Sequence, residues 1–580
     1  MEAAADEERP LIHRLPPQDG SSEYTSDGTV DINQQPALKK STGNWRACFL
    51  ILAAEFTECV AFFGISKNLV TYLIGELHES NVDAAKNVSA WIGSSFFTPL
   101  IGAYLADTFW GRYRTVVVFL SLYVVGMLTL TASTFTRLLM GSSYSVGVHR
   151  GVAYAGLYLS ALGNGGIKPC TSAFGADQFD GGDSAERVAK GSFFNWYYFA
   201  INTGSLLSST LVVWAQDAVG WGVGFGAPAA LMASGLAVFV AGRRAYRYKT
   251  LDGSPLTRVA QVGVAAVRNH RLAPPDDSAA LHELRSPADQ SCKTIRHTAQ
   301  FRFLDKAAIV VARPPSGEKD AAAPAAPAAS PWRLCTVTQV EELKMLVRMF
   351  PVWASMVPFF AATAQMSSTF IEQGAAMDNR VGRFAVPPAA MATFDVLSVM
   401  VCIPLYDAVL VPAARRATGK DRGLSQLQRL GAGLTLSVAA MAYAAAVEAA
   451  RLGRARRGAP AMSIAWQAPA FAVLGAGESF AAVGVLEFFY DQSPRGMKSL
   501  GTALAQLSIA AGNYVNSAVL GAVAAATARG GRPGWIPDDL DEGHLDYFFW
   551  MMAALGAVNL MHFLHCSMRY SGNNSSNSIA

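Results

Sequence analysis

The sequence predicts an all-α membrane protein with twelve transmembrane helices, and three observations lead to that fold class. Of the 580 residues, 51% are hydrophobic and only 16% are charged, whereas a soluble chain of this length divides into several domains with more charged surfaces. The apolar residues gather into runs of about 18 to 25, the length that a helix needs to cross a hydrocarbon layer about 30 Å thick. Six such runs precede a polar stretch and six follow it.

The twelve apolar runs therefore form two groups. The first lies near residues 46–75, 90–108, 113–134, 150–175, 192–214 and 221–242, and the second near 343–371, 388–411, 424–447, 462–490, 500–526 and 545–567. Arg112, Arg243 and Arg569 flank ends that twelve spans place in the cytosol, as the positive-inside rule requires. The basic stretch 451–458 is an exception, because it falls in a loop predicted to be extracellular.

The polar segments predict the domain organisation. We expect a cytosolic N-terminal tail at 1–45, a six-helix bundle at 46–242, a cytosolic linker at 243–338, a second bundle at 339–570 and a cytosolic tail at 571–580. The N-terminal tail is polar and shows no cleaved signal peptide, so we expect it to stay in the cytosol.

Most of the linker is predicted to be flexible, because its Arg, Asp and Pro content gives it too little apolar area to fold alone. Residues 254–271 mix valines with arginines in a helix-compatible pattern. They predict either an interfacial helix on the inner leaflet or a short helix on the cytosolic surface of the protein.

Several function classes are disfavoured. The formal net charge of +4 gives no reason to expect a nucleic-acid partner. The seven cysteines are scattered and show neither a disulfide framework nor zinc-site spacing. The glycine cluster at 161–169 lacks the spacing of a phosphate loop, and no nucleophile and base stand together. We therefore expect no enzyme activity, no metal and no cofactor, and the expected partners are a small-molecule substrate and the lipid bilayer.

Ionisable residues inside the apolar runs are the candidate functional residues, since a charge there is costly unless it faces a cavity or a partner. Glu55 and Glu58 are three residues apart, so both carboxylates project from one face of a helix. Lys168 follows the glycine cluster in the first half, and Glu478 lies in the second half. An ion pair between Lys168 and Glu478 would form a gate between the bundles. The alternative is that each residue belongs to a permanent ion pair that holds neighbouring helices together. Asp395 is a weaker candidate, suited to capping or bridging near a helix end.

Three long motifs carry a family resemblance. They are ALGNGGIKPCTSAFGADQFD at 161–180, FFNWYYFAINTGSLLSSTL at 193–211 and LEFFYDQSPRGMKSLGTAL at 486–504. These motifs resemble the signatures of the proton-coupled oligopeptide transporter family, in its plant nitrate and peptide transporter branch. The resemblance implies the major facilitator superfamily fold, in which two six-helix bundles hold the substrate near the midplane and rock to give alternating access.

The resemblance also implies a proton-handling motif, E-x-x-E followed by Arg or Lys, on the first span, with two tyrosines after it at the substrate site. Glu55 and Glu58 match the motif, but Cys59 stands where the basic residue belongs, and Phe62 and Phe63 stand where tyrosines are usual. Without an adjacent cation the two carboxylates repel, and at least one is expected to carry a proton. We expect proton coupling to be altered, weakened or lost.

Lys168 is the plausible partner of these glutamates, because Lys67 lies about 13 Å along a helix from Glu58. In the family-based picture Lys168 would bind a peptide carboxylate and Glu478 an amino group, with Asn202 as a further polar contact. Thr363 stands where nitrate-transporting relatives can place a histidine, and threonine cannot supply a charge for a small anion.

The leading functional prediction is a secondary active transporter of small peptides, by symport with protons as the coupling ion. Phe62 and Phe63 make the pocket more apolar, so a plant hormone or another organic anion stays open beside nitrate. A substrate sensor that does not transport is the alternative from another functional class, and Cys59 favours it. By resemblance Thr108 is a candidate phosphorylation site, with helix capping as the alternative, and the plasma membrane is favoured over the vacuolar membrane.

Overall fold

The computed structural model describes residues 23–136, 145–180, 183–249, 255–273, 281–283, 295, 297–310, 330–382, 384–418, 424–494, 498–528 and 533–570. These residues are predominantly helical, and one short antiparallel pair of strands, β1 (Arg380–Val381) and β2 (Phe384–Ala385), lies among them. The predicted all-α class is confirmed.

Twelve helices correspond in order to the twelve predicted spans. In the first half they are α1 (Asn44–Ser66), α2 (Asn81–Phe97, continued by Pro99–Leu105), α3 (Gly111–Thr134), α4 (Val146–Ala176), α5 (Ser184–Leu207) and α6 (Trp221–Ala241). In the second half they are α7 (Val337–Thr363), α8 (Ala392–Leu405), α9 (Gln426–Ala455), α10 (Ala468–Gln492), α11 (Lys498–Thr527) and α12 (Leu545–Arg569).

Nine stretches of the described chain are long and apolar enough to cross a membrane by length and composition alone. One of them, Asn81–Thr134, holds both α2 and α3. α4 and α5 are not among the nine, because the glycine cluster and Lys168 in α4, and charged residues such as Glu186 in α5, dilute their apolar content.

The two halves pack into separate hydrophobic cores. One large cluster consists almost entirely of side chains between Ala47 and Tyr246. Two further clusters consist mainly of side chains between Leu346 and Phe563. The exceptions lie where the bundles touch: Ile371 and Ala389 join the first cluster, and Ala85 joins a second-half cluster.

Polar contacts between the bundles lie from the middle of the helices towards one end. We call that end outer, and we call inner the face that carries residues 23–43 and the linker, which is predicted to be cytosolic. The hydrogen bonds and ion pairs found between the bundles in the described chain are Lys67 with Asp395, Asn81 with Pro537 and Asp538, Ser89 with Asn516, Ser94 with Tyr514 and Ser209 with Thr393. The protein is therefore closed on its outer side.

The described parts of the linker are ordered by packing. A helix forms at Pro255–Arg268, inside the segment predicted to be helical, and Val262 and Ala265 pack with Ala307 and Val340. This packing favours the alternative of a helix on the protein surface over one that lies only on the leaflet. Most of the segment predicted to be flexible, including 311–329, falls outside the described residues, and the domain boundaries stay a prediction.

The described end of the N-terminal tail binds the inner end of the first bundle. Ser26 donates hydrogen bonds from its backbone N–H and its hydroxyl to the Asp180 carboxylate, both at 2.8 Å. Lys39 Nζ lies 3.3 Å from the same carboxylate. The fully buried Arg247 pairs with Glu186 at 2.7 Å beside this contact. The tail is thus anchored by charge-assisted hydrogen bonds.

Glycines allow α3 and α4 to approach closely. A Cβ on Gly156 of α4 would lie 2.6 Å from the backbone nitrogen of Leu130 in α3, and a Cβ on Gly126 of α3 would lie 2.5 Å from the backbone nitrogen of Ser160 in α4. Small residues at such crossings are a common device in membrane proteins, because they let backbones pack against each other. By contrast, a Cβ on Gly151 of α4 would meet nothing within 4 Å.

We predict that Gly156→Ala destabilises the protein by about 1–3 kcal/mol, because the new methyl group must push α3 and α4 apart. The matched control is Gly151→Ala in the same helix, which is expected to be neutral or slightly stabilising. Thermal unfolding of the detergent-purified variants measures both. Equal melting temperatures for the two variants would contradict this account of the crossing.

Candidate functional site

A cavity of about 930 Å³ lies between the bundles. Its walls come from α1, α2, α4 and α5 of the first bundle and from α7, α8, α10 and α11 of the second. Residues near the inner ends of the helices, such as Phe194 and Tyr490, belong to its lining. Because the bundles join on the outer side, the cavity is accessible from the inner side.

The cavity brings together most of the residues singled out in the sequence. Eight of them line it: Glu55, Phe62, Phe63, Lys168, Asn202, Thr363, Asp395 and Glu478. Glu58 and Cys59 are fully buried behind this wall. Lys67 also lines the cavity. The site is therefore a ring of charged groups set in an otherwise largely aromatic and aliphatic wall.

Glu58 and Lys168 form an ion pair inside the first bundle. Lys168 Nζ of α4 lies 3.2 Å from Glu58 Oε2 of α1. The lysine side chain is 14% exposed and the glutamate is completely buried. The Lys168 ammonium also lies 4.8 Å from the centroid of the Phe62 ring, a cation–π distance. Lys168 is thus held from two sides, and contact with the glutamate pair agrees with the expected role of Lys168 as their partner.

Glu55 has a different set of partners from Glu58. Thr171 Oγ1 of α4 donates to Glu55 Oε2 at 2.7 Å, and the same hydroxyl lies 3.0 Å from the Tyr197 hydroxyl of α5. Neutral hydroxyl groups therefore hold Glu55, whereas an ammonium holds Glu58. The two glutamates share a helix face, as predicted, but their electrostatic environments differ.

Cys59 lies between the two carboxylates but does not neutralise the negative charge of either. Its Sγ is 3.5 Å from Glu58 Oε2 and 3.9 Å from Glu55 Oε1. A thiol is a weak, neutral donor, so it cannot hold both glutamates ionised as a basic residue would. The residue packs closely against α5, since a Cβ on Gly204 would lie 2.8 Å from the Cys59 Cβ.

The donor atoms of Glu55, Glu58 and Cys59 lie within 4.8 Å of one another. A metal ion would need these oxygens, but the Lys168 ammonium already binds Glu58 Oε2 and the Thr171 hydroxyl binds Glu55 Oε2. The arrangement therefore resembles a proton and ion-pair network more than a metal site.

Phe62 and Phe63 contact lysines of the cavity, which the sequence did not predict. Phe62 is only 3% exposed and stacks on Trp91 with ring centroids 5.6 Å apart, so it supports Lys168 more than it widens the apolar wall. The Phe63 ring lies 5.7 Å from Lys67 Nζ. Each phenylalanine that replaces an expected tyrosine thus lies against a lysine of the cavity.

Glu478 has no ion partner in this conformation. No hydrogen bond or ion pair to it is found in the described chain, although Asp395 and Lys67 lie within electrostatic range. The predicted ion pair between Lys168 and Glu478 is not formed here, because Lys168 is bound within its own bundle to Glu58. A gate made of those two residues stays a prediction for another conformation.

Among the described residues, the ion pair that joins the bundles is instead Lys67 with Asp395, at 3.3 Å. Both side chains are nearly buried, with 8% and 6% exposure. Sequence reasoning considered Lys67 only as a partner for Glu58 and treated Asp395 as a weak candidate. The missed signal was charge complementarity: a lysine lies in the later part of an apolar run in one half, and an aspartate lies in the early part of a run in the other.

Glu372 is a second residue that sequence reasoning missed. It lies at the outer end of the α7 span, in the short helix Thr369–Ala375, and is 4% exposed. Neither carboxylate oxygen has a hydrogen-bond partner. An ionised carboxylate at such a place is costly, so we expect Glu372 to be neutral here. The signal in the sequence was an acid directly after an apolar run.

The remaining predicted residues have modest contacts. The Asn202 side chain donates to the Tyr198 carbonyl at 2.8 Å, and the Thr363 hydroxyl donates to the Phe360 carbonyl at 3.1 Å. Thr108 lies in a π-helical turn at the inner end of α2, and its buried hydroxyl has no partner. It does not cap α3, so the capping alternative is wrong, and its phosphorylation stays a prediction.

Comparison with known proteins agrees with this architecture. The sequence model of the POT family matches residues 113–536. The chain is 47% identical to the Arabidopsis thaliana protein NRT1/PTR FAMILY 8.3 over 98% of this chain and 99% of that protein. It is 48% identical to NRT1/PTR FAMILY 8.5 of the same plant, over 93% and 92%.

Solved structures share the fold. The crystal structure of an autoinhibited POT family peptide transporter superposes with a TM-score of 0.66 at 25% identity, covering 91% of this chain and 98% of that one. The POT family transporter PepTSo gives the same TM-score at 23% identity, covering 91% and 99%. The predicted arrangement of twelve helices in two bundles is confirmed.

We predict that Lys168→Met destabilises the protein by about 3–5 kcal/mol, because Glu58 then stays buried without a cation. Glu58→Gln in the same chain is expected to recover much of the loss, since the amide needs no counter-charge. Thermal unfolding of the single and double variants gives the coupling between the two side chains.

The matched control is Lys86→Met, which removes a lysine from the exposed pair with Asp83 and is expected to cost less than about 1 kcal/mol. If Lys168→Met and Lys86→Met melt alike, the pair with Glu58 is not a strong interaction and this description of the site is wrong.

Proposed function

We propose that this chain, which belongs to the POT family of membrane transporters, carries small peptides across the membrane by rocking-bundle alternating access. One observation carries the proposal: Glu478 presents a carboxylate without an ion partner to the cavity, while each of the lysines Lys67 and Lys168 is paired with an acid. The family and its transport function rest on the comparisons, and the substrate is our inference.

The charge balance of the cavity favours a substrate with an amino group. The charged groups at its wall are Lys67, Lys168 and the acids Glu55, Asp395, Glu478 and Glu487, and Glu58 lies directly behind Lys168. Of these acids, Glu487 is paired with Arg429. A small anion such as nitrate would meet only lysines that already have carboxylate partners, and it would leave the charge of Glu478 without a counter-charge. An ammonium group, in contrast, would find Glu478 uncompensated. Thr363 at the cavity wall offers an anion a hydroxyl but no charge.

The size of the cavity also favours an organic substrate. A volume of about 930 Å³ is typical of sites for small organic molecules, which measure about 300–1,000 Å³. A di- or tripeptide would fill much of this space, while nitrate would leave most of it to water. The amide side chains of Asn202, Gln506 and Asn513 line the same space and offer the donors and acceptors that a peptide bond needs.

A peptide fits the polarity of the site in one orientation. Its amino group would bind Glu478 on α10, and its carboxylate would bind Lys168 on α4, where two N–H groups of the ammonium remain after the bond to Glu58. The substrate would then connect the two bundles, and rocking would move it from one side to the other. The structural neighbour described as a peptide transporter supports this substrate class, whereas the names of the plant relatives, NRT1/PTR FAMILY 8.3 and 8.5, leave the substrate open.

The proposal includes proton coupling that is weaker at the glutamate motif than in a chain with a basic residue at position 59. Lys168 alone must serve Glu58, and only hydroxyl groups and the Cys59 thiol contact Glu55. A hormone or another organic anion is the second candidate substrate, favoured by the aromatic wall at Phe63. A sensor without efficient transport is the alternative that Cys59 favours. The plasma membrane is the proposed location.

We predict that Glu478→Gln lowers uptake of a labelled dipeptide in oocytes by about tenfold or more, because a charge-assisted bond to the substrate amino group is worth roughly 1.5–3 kcal/mol. The matched control is Glu487→Gln, on the same helix and also lining the cavity, where the carboxylate is already 3.2 Å from Arg429. Glu487→Gln should retain most of the uptake.

The same assay with nitrate and with plant hormones, across a pH series, separates the candidates. Uptake of nitrate or of a hormone in preference to dipeptides would overturn the peptide proposal. Dipeptide binding with no flux at any pH would establish the sensor alternative instead.

We predict further that Cys59→Arg makes dipeptide uptake depend more steeply on the inward proton gradient, because the guanidinium would hold both Glu55 and Glu58 ionised until protons bind. Cys59→Ser is the control, since it keeps a small neutral side chain beside Gly204. Initial rates at a series of external pH values measure the effect. An unaltered pH profile in well-folded Cys59→Arg would show that position 59 does not set the coupling.

A further inference from the structure

The strongest unassigned feature is a row of side chains along the cavity face of α11. Gln506, Ile509 and Asn513 all line the cavity, and their spacing of three and four residues places them on one helix face. Asn513 is 4% exposed, and its amide N–H donates to the Ile509 carbonyl at 2.9 Å. The side-chain oxygens of Gln506 and Asn513 are both buried, and neither has a hydrogen-bond partner in the described chain.

The two amide oxygens are acceptors that lack a donor. A buried polar atom without a hydrogen bond is costly, and an N–H group of a ligand can satisfy it. The two residues are seven apart, which is about 10 Å along the helix axis, so they serve donors at two depths of the cavity. The carboxylate of Glu478 lies in the wall of the same bundle. This side of the cavity therefore offers acceptors to a substrate rich in donors.

The charges at the cavity wall do not cancel. Three neutral ion pairs lie there: Lys67 with Asp395, Lys168 with Glu58 and Arg429 with Glu487. Glu55 and Glu478 lie outside these pairs, and the neutral Thr171 hydroxyl and Cys59 thiol contact Glu55. If one acid of the glutamate pair on α1 holds a proton, as expected, about one negative charge is left over. A substrate with one net positive charge neutralises the cavity, whereas a zwitterion leaves it negative.

We infer that the cavity selects peptides with a basic side chain, whose N–H groups bind the unpartnered oxygens of Gln506 and Asn513. This inference deepens the proposed function and rests on it, since it names the class of peptide for the same cavity. The amino end of such a peptide binds Glu478 and its carboxylate contacts Lys168. Its lysine- or arginine-type side chain lies along α11.

Other side chains of a peptide fit α11 less well. An acidic side chain brings only acceptor oxygens to a wall with unpartnered acceptors, and it adds a further negative charge. An aliphatic side chain covers the two amide oxygens without supplying a donor. The hydroxyl of Thr363 on the facing wall already donates to the Phe360 carbonyl at 3.1 Å. The ammonium or guanidinium group is thus the side-chain end that satisfies both the hydrogen bonds and the charge.

Calorimetric binding of three dipeptides to the purified full-length protein tests the inference. The dipeptides are alanyl-lysine, alanyl-methionine and alanyl-glutamate. Lysine and methionine both have long unbranched side chains, so their comparison isolates the ammonium group. Alanyl-lysine is expected to bind about tenfold more tightly than alanyl-methionine, the factor that one charge-assisted hydrogen bond supplies. Alanyl-glutamate is expected to bind most weakly.

Variants of Asn513 assign this preference to α11. Asn513→Leu should reduce the preference for alanyl-lysine over alanyl-methionine by about fivefold, and Asn513→Asp should increase it, because a carboxylate is a stronger acceptor than an amide. Binding of alanyl-methionine by the same variants is the internal control for folding. Ser508→Ala is the matched control on α11, since the Ser508 hydroxyl donates to the Ala505 carbonyl within the helix at 2.6 Å. It should leave the preference unaltered.

Equal affinities of the unaltered protein for alanyl-lysine and alanyl-methionine would overturn the inference and leave peptide transport in place. A lysine preference that is unaltered in both Asn513→Leu and Gln506→Leu would overturn the role of α11. If none of the three dipeptides binds, the proposed function fails instead.

A second measurement does not depend on peptides as substrates. Thermal unfolding of the purified protein is followed with an excess of diaminopentane or of glutarate, which have the same number of carbon atoms and opposite charges. A ligand that binds the folded state raises the melting temperature. Diaminopentane is expected to raise it, less so in Asn513→Leu, and glutarate is expected to leave it unchanged. A shift with diaminopentane no larger than that with glutarate would refute selection for positive charge, whatever the transported substrate is.

Discussion

The pairing of buried charges is the constraint on which the rest of this structure depends. Inside a membrane an ammonium or carboxylate without a partner is costly, and the lysines of the cavity wall satisfy that constraint in different ways. Lys168 binds Glu58 within one bundle and stabilises it, whereas Lys67 binds Asp395 across the two bundles and closes the outer side. Glu478 is a carboxylate at the cavity for which neither a hydrogen bond nor an ion pair is found among the described residues, and the proposed substrate follows from its uncompensated charge.

The pairing of buried charges also explains how the first helix tolerates its departures from the expected motif. Cys59 supplies no positive charge, and the charge that Glu58 needs comes from α4 instead. Phe62 and Phe63 supply no hydroxyl groups, but their rings lie against Lys168 and Lys67, where cation–π attraction partly replaces lost hydration. The positive charge that the motif lacks at position 59 is supplied to Glu58 by Lys168 of a neighbouring helix.

Much of the fold could be predicted from the sequence, because hydrophobic length alone identifies most spans and the motif resemblance supplied the two-bundle arrangement. Contact between the glutamate pair and Lys168 was also accessible, since few cations lie within the spans of the first bundle. The pair of Lys67 with Asp395 was not, because helix register across two bundles depends on packing between residues far apart in the chain. Glu372 was missed for a simpler reason: the predicted apolar run ends at residue 371, so this acid did not count as a charge inside a span.

The central claim is that Glu478 recognises a substrate amino group while Lys168 contacts the carboxylate less strongly. Calorimetric binding of three ligands to the purified protein tests it most directly: a free dipeptide, the same dipeptide with an acetylated amino end, and the same dipeptide with an amidated carboxyl end. The account predicts that acetylation abolishes measurable binding and that amidation weakens it less. Acetylated dipeptide that binds as tightly as the free one would contradict the account.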